Sequence, residues 1–261
     1  MLVKLDNPVQ YTLPLFNNLE AGTQVPMNSF VGKDIKIEFT GTINCVVTGR
    51  KINKTFGEGM SYDAWKSSPM AVESIINPEL DRAHLGEGIR DLEWERDRHV
   101  KPHFVYLAQT NTIKVGVTKG NSIPTRWIDQ GAKRAMKFAE TPYRQKAGAI
   151  EVELKNHISD KTNWRKMLTN APSEGTFEEE YERLKKLLPR HLKQYVLPLD
   201  ESVEIEYPVV KYPEKVKSMK LDSVPIIEKR LTGIRGQYLL FEDQTVINLR
   251  SHSGYEISIE A

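Results

Sequence analysis

Apolar and polar residues alternate most cleanly near the middle of the chain. Ile113, Val115 and Val117 alternate with Lys114, Gly116 and Thr118, the period-two signature of a strand with one buried face. Residues 104–108 before it are continuously apolar, and the polar turn 109–112 joins the two into a hairpin. Beyond Pro124 the period lengthens. Ile128, Ala132, Ala135 and Ala139 share a face at helical spacing, which predicts an amphipathic helix over residues 125–140. Ala147, Ile150, Leu154 and Ile158 predict a second over 143–158.

The flanks read as β structure. Ile35, Ile37 and Phe39 alternate with charged residues, and residues 43–47 beyond Gly41 read as the partner strand. Residues 1–30, with Pro8, Pro14 and Pro26, read as extended segments and turns, and 49–100 are the least regular. A short helix over 162–168 is expected, capped by Asp160. Pro172 to Thr176 reads as a turn, and Thr176 with Glu179 forms a capping box opening a helix whose stripe is Phe177, Tyr181, Leu184, Leu187 and Leu188, kinked at Pro189. Residues 225–231, 237–241, 246–249 and 255–259 read as four short strands. The expected class is α+β: a β-rich region over 1–100, a central domain of small antiparallel sheet and helices over 101–198, and a small β domain over 199–261. The two β regions are expected to pack together as a small barrel.

Composition narrows the function. A chain of 261 residues has room for two or three small cores. No apolar run approaches the ~20 residues of a membrane span, and no basic-then-apolar leader opens the sequence, so a cytoplasmic protein without a membrane partner is expected. The single cysteine, Cys45, excludes an intrachain disulfide framework. Net charge is only +2, but residues 101–170 hold nine lysines and four arginines against two aspartates and three glutamates. That excess reads either as a solvated basic surface or as a phosphate-facing patch.

The same stretch carries a resemblance. Val105-Tyr106-Leu107, Lys114-Val115-Gly116, Arg126 opening a helix and Glu151 in a later helix resemble the GIY-YIG nuclease domain. The resemblance implies that Tyr106, Arg126 and a metal-binding Glu151 surround a phosphodiester, with DNA or RNA as partner. Lys114 departs from the pattern, standing where many members carry a second tyrosine. A wider resemblance rests on four words in order: Lys114 to Thr118, Pro124 to Ala132, Asp160 to Trp164, and Gly236 to Phe241. These are similar to an uncharacterised bacterial family known as a domain of unknown function. That family implies paired cysteines in a zinc-knuckle-like segment. Here Thr48, Ser61 and Ala64 stand at the remaining positions beside Cys45, so structural zinc is not expected. Packing by Phe56, Tyr62, Trp65, Met70, Ile75, Ile76 and Trp94 is expected instead.

The candidate site is therefore Tyr106, Lys114, Arg126 and Glu151, with Lys119, Lys133, Arg134 and Lys137 as nucleic-acid contacts. Arg126 lies in a first helical turn, where the dipole does not favour a cation. It reads as a phosphate ligand, a surface arginine or a partner of Asp129. Glu151 falls in the apolar stripe of its helix and must be paired, hydrogen-bonded or metal-bound. The alternatives are a salt bridge to Arg126, Lys114 or Arg144, or a hard cation such as magnesium or manganese, for which one carboxylate plus water suffices. Three functions remain open: a metal-dependent phosphodiester hydrolase, a noncatalytic nucleic-acid binder on the same scaffold, and a structural or protein-interaction module.

Overall fold

The computed structural model describes residues 1–17, 19–158, 163–172, 175–199 and 202–261. The chain opens with β1 (Leu2–Lys4), β2 (Gln10–Asn17), β3 (Glu20–Pro26), β4 (Asp34–Asn44), β5 (Lys51–Ile52) and α1 (Tyr62–Ser67). Then come α2 (Leu92–His99), β6 (His103–Gln109), β7 (Ile113–Lys119), α3 (Thr125–Asp129), β8 (Arg134–Thr141) and α4 (Arg144–Lys155). After α5 (Trp164–Leu168), α6 (Phe177–Leu187) and α7 (Arg190–Lys193), the last strands are β9 (Val203–Glu204), β10 (Lys217–Ser218), β11 (Ile226–Arg235), β12 (Tyr238–Phe241), β13 (Thr245–Asn248) and β14 (Tyr255–Glu260). The chain divides into two units. One comprises Met1–Ser68, Leu168–Asn170 and Glu206–Ala261; the other comprises Pro69–Met167 and Ala171–Ile205.

In the first unit β1, β2 and β3 form an antiparallel meander, and a larger sheet runs β10-β13-β12-β11-β4-β14, with β5 also paired to β4. The expected β regions do meet, since β4 lies between β11 and β14. They do not close into the expected barrel. The terminal strands are β10, two residues long and paired to β13, and β14, paired to β4, so the sheet stays open. The turn Leu249–His252 carries the chain from one side of the sheet to its far edge, where β14 joins β4 rather than β13. The expected hairpin of residues 35–39 with 43–47 is also corrected. Gly41, at φ 86°, bends the chain without reversing it, and β14 runs alongside both halves of one strand.

The second unit is built on the antiparallel sheet β7-β6-β8-β9. One face carries Val105, Leu107, Val115, Met136 and Phe138, buried under Ala147, Ile150 and Leu154 of α4 and Phe177, Tyr181 and Leu184 of α6. The hairpin and α4 follow the sequence pattern, and Thr176 caps α6 by accepting from the Glu179 N–H at 3.3 Å. The helix expected over 125–140 is overturned. Gly131 adopts φ 75° and ends α3 after one turn, and the chain re-enters as strand β8. A bulge between Val105 and Tyr106 in the β6–β8 register leaves Phe138 without a Cα partner. That spare residue puts Lys137 and Glu140 three apart on one face, and with the half-buried Arg134 at the start of the strand the exposure pattern imitates a helix. The proposed Asp160 cap lies outside the described residues, as do Ser173 and Glu174 of the expected turn.

Residues 69–100 form short 3-10 turns before α2. The expected apolar packing fails for Tyr62, Met70 and Ile76, which are 51%, 50% and 79% exposed. Polar contacts replace it. Buried Asp81 pairs with buried His99. Arg144 of α4 donates to the carbonyls of Ser74 and Ile75. Buried Glu95 accepts from the N–H groups of Ile89, Arg90 and Asp91 at 3.1, 2.9 and 3.2 Å. These bonds do what an apolar core would otherwise do for an irregular backbone.

Candidate functional site

Strand pairing sets the centre of the site. The β6–β7 register places Tyr106 opposite Gly116. A Cβ added to Gly116 would stand 2.4 Å from the Tyr106 hydroxyl and 2.6 Å from Cζ. The phenol thus lies across the neighbouring strand, and only glycine leaves room for it. Tyr106 is almost fully buried, and its hydroxyl donates to Gln130 Oε1 at 3.3 Å. Burial raises the phenol above its usual pKa; the charge and hydrogen bond of Arg126 oppose this, and the charge of Glu151 adds to it. The hydroxyl is therefore protonated at neutral pH.

The short α3 supplies the flank. Arg126 is exposed. Trp127 sits edge-on to Tyr106 with ring centroids 6.4 Å apart. Gln130 is the C-cap residue, held by the turn at Gly131, where a Cβ would meet Met167 Sδ at 2.5 Å. Met167 is thus what approaches the backbone at Gly131. Two N–H donors in this cluster, Trp127 Nε1 and Gln130 Nε2, are buried and have no hydrogen-bond partner among the described residues. Such orphans are costly and call for an acceptor. Gln130 was not among the residues singled out from sequence. Its position four after Arg126 on a helical turn was the available signal.

Of the four central candidates, Tyr106 and Gly116's neighbour Lys114 share a sheet face, Lys114 lying opposite Ala108 with its residue 8% exposed. Glu151 is buried in the α4 stripe, as its spacing implied, and pairs with Lys155 at 3.4 Å, a partner outside those weighed from sequence. Its charge also reaches Arg144. Lys137 pairs in register with Tyr106, and its exposed ammonium lies 4.6 Å from the Phe104 ring centre on the same face. The remaining cations do not converge there. Lys119 is exposed at the end of β7. Lys133 donates to the Ala171 carbonyl at 3.1 Å. Arg134 turns to Glu178 at 2.8 Å and Glu204 at 3.3 Å, over the ring of Phe177.

Among the described residues no group of three or more His, Cys, Asp or Glu side chains could hold a metal. Glu151 offers one hard carboxylate, which suits magnesium or manganese completed by water and phosphate oxygens, and Lys155 would have to yield its place. Among the described residues no helix is long and apolar enough to cross a membrane.

A family model described as "Protein of unknown function (DUF2797)" matches residues 32–257. No curated protein matches the chain, and no solved structure does.

Proposed function

The chain belongs to the DUF2797 family, which is defined without a function, and from the geometry around Tyr106 we propose that the protein binds nucleic acid at a phosphodiester, with metal-assisted hydrolysis as its reaction. The observation that carries this reading is the pair of partnerless donors, Trp127 Nε1 and Gln130 Nε2, beside an exposed Arg126 on one short helix. Two N–H groups and a guanidinium suit nonbridging phosphate oxygens. The order of Tyr106 on β6, Gly116 on β7, Arg126 in α3 and Glu151 in α4 supports the GIY-YIG resemblance, with Lys114 in place of the second tyrosine.

Arg126 neutralises a phosphate oxygen and gains as charge develops on it. Gln130 fixes the Tyr106 hydroxyl by accepting its proton-bearing bond and turns its own amide N–H toward an oxygen. Tyr106, kept protonated by burial, positions a hydroxylic group rather than serving as base. Glu151 would hold a divalent ion, which when bound supplies charge stabilisation at the leaving oxygen. The Lys155 ammonium on Glu151 favours a second reading, the same site binding without hydrolysis.

Anisotropy of a labelled oligonucleotide at several salt concentrations tests the binding, and a manganese-dependent cleavage assay tests the reaction. Arg126→Ala should weaken binding about tenfold, as expected for a charged hydrogen bond, and Glu151→Gln should abolish cleavage while sparing binding. Unchanged affinity in Arg126→Ala refutes the site. Cleavage retained in Glu151→Gln refutes the metal role.

A further inference from the structure

A different surface, in the first unit, carries an independent inference. Cys45 is fully buried, and its Sγ accepts the Ser61 N–H at 3.2 Å. Phe56 and Met60 bridge across a tight turn through Gly57, which adopts φ 56°. Trp65 lies over that turn, its Cδ1 3.0 Å from where a Gly57 Cβ would be. Three rings gather here: Phe56 and Tyr62 at 5.1 Å between centroids, Phe56 and Trp65 at 6.2 Å, and Tyr62 and Trp65 at 6.4 Å.

As a small core, this cluster accounts for Phe56 and Trp65, which are half-buried. It does not account for Tyr62, which is 51% exposed at the start of α1. Nor does it account for Lys54, whose ammonium lies 5.4 Å from the Phe56 ring centre. Arg50, Lys51 and Lys66 add exposed or half-buried cations in the same segment. Its acidic residues are Glu58 and Asp63, and Glu58 faces Arg250 at 3.7 Å. The local excess is positive, beside an aromatic face open to water.

We propose that this cluster is a stacking platform for single-stranded nucleic acid, with a base on the Tyr62 ring and the adjoining phosphates on Lys54 and its neighbouring cations. Every base has a π-face, so such a platform is indifferent to sequence, and the cations follow the backbone. A duplex, whose bases are already stacked, gains nothing from Tyr62. An apolar protein partner is the poorer occupant, because Lys54 would be desolvated against it. The proposal takes its ligand class from the reading above, but it uses no residue of the Tyr106 site.

The test is anisotropy with a fluorescein-labelled 15-nucleotide oligothymidine and a hairpin duplex of the same length, using the intact protein. Tyr62→Ala should weaken single-strand binding about tenfold, in keeping with one stacked base, while Tyr62→Phe stays within about twofold because the ring is kept. Lys54→Ala should lower the salt slope by about one counterion. Because Tyr62 is half exposed, unchanged circular dichroism should accompany these effects. Equal binding by Tyr62→Ala and wild type overturns the proposal, as does preference for the duplex or no binding by wild type. If Arg126→Ala weakens binding and Tyr62→Ala does not, the platform fails and the Tyr106 site stands. The reverse result keeps the platform and removes the site.

Discussion

Gly116→Ala is the sharpest probe of the site, because two effects of opposite sign compete there. Gly116 does not occupy the left-handed region, so alanine meets no backbone strain. In an open strand the change would stabilise by about 0.5–1 kcal/mol through reduced chain entropy. Here the new methyl meets the Tyr106 hydroxyl at 2.4 Å, Cζ at 2.6 Å and Cε1 at 3.1 Å. The ring is almost fully buried and packs against Trp127, so it cannot swing freely away. Overpacking of this kind costs about 1–3 kcal/mol. The net expectation is a loss of about 0.5–2 kcal/mol, or a few degrees of Tm for a chain of this size. Displacing the phenol also breaks its bond to Gln130, so oligonucleotide affinity should fall with stability. Urea unfolding by circular dichroism gives the first quantity and anisotropy the second. Tyr106→Phe removes the shortest contact but leaves Cζ, so the double variant should recover part of the loss, with a coupling of roughly 1 kcal/mol. A Gly116→Ala protein as stable as wild type, or more stable, refutes the packing argument.

Other positions give equally direct outcomes. A methyl at Gly148 would lie 2.3 Å from the Glu79 nitrogen and 2.6 Å from the Pro78 carbonyl carbon; since backbone cannot rotate away, Gly148→Ala should loosen residues 69–100, read as faster proteolysis within them at unchanged cleavage elsewhere. Burial works against the ionisation of Asp81, yet His99, the Ala83 N–H and Arg144 hold its carboxyl below the usual range. A depressed carboxyl stabilises fully above its unfolded pKa, near 4, and less as pH falls through the folded value. Asp81→Asn should therefore flatten the acid limb of a stability–pH curve; an unchanged limb would show that the pair contributes nothing. Burial also opposes ionisation of Cys45, but hydrogen bonds from Thr48 and from the backbone of Ser61, Val47 and Thr48 bring the thiol down to about 6. By the same sign rule that contribution is complete above the unfolded thiol pKa and fades as pH drops toward 6. Cys45→Ser should erase a rise in Tm between pH 6 and about 9, and persistence of that rise would assign it elsewhere.

Where burial alone sets the pattern, the sequence was legible. The alternation of Ile113, Val115 and Val117 gives β7, and the stripe of Ala147, Ile150 and Leu154 gives α4 with Glu151 in its buried edge. Legibility failed where a local backbone event changes the period. Gly131 ends α3, and the bulge in β8 sets Lys137 and Glu140 three apart, as a helix would. It failed again at residues 69–100, whose order depends on Asp81 finding His99, Arg144 finding distant carbonyls, and Glu95 folding back onto the N–H groups of residues 89–91. No hydropathy pattern encodes such bonds. Gln130 was hidden for the same reason, since its partner Tyr106 lies 24 residues away. The barrel failed because strand count does not fix closure, which depends on whether the outermost strands meet.

The unpaired Phe138 works like a one-letter insertion between two reading frames. Downstream of it, Ala139 sits opposite Val105 and belongs to the core face; upstream, Lys137 sits opposite Tyr106. In an uninterrupted ladder Phe138 would take the place opposite Tyr106, and Lys137 would point into the hydrophobic core. Deleting Phe138 would leave Lys137 opposite Tyr106 and Ala139 opposite Val105 in one continuous ladder, whereas keeping it without the bulge would exchange a lysine and a phenylalanine between water and the interior. With Phe138 in the chain, the cation keeps its place beside Tyr106 only because the bulge takes up the extra residue.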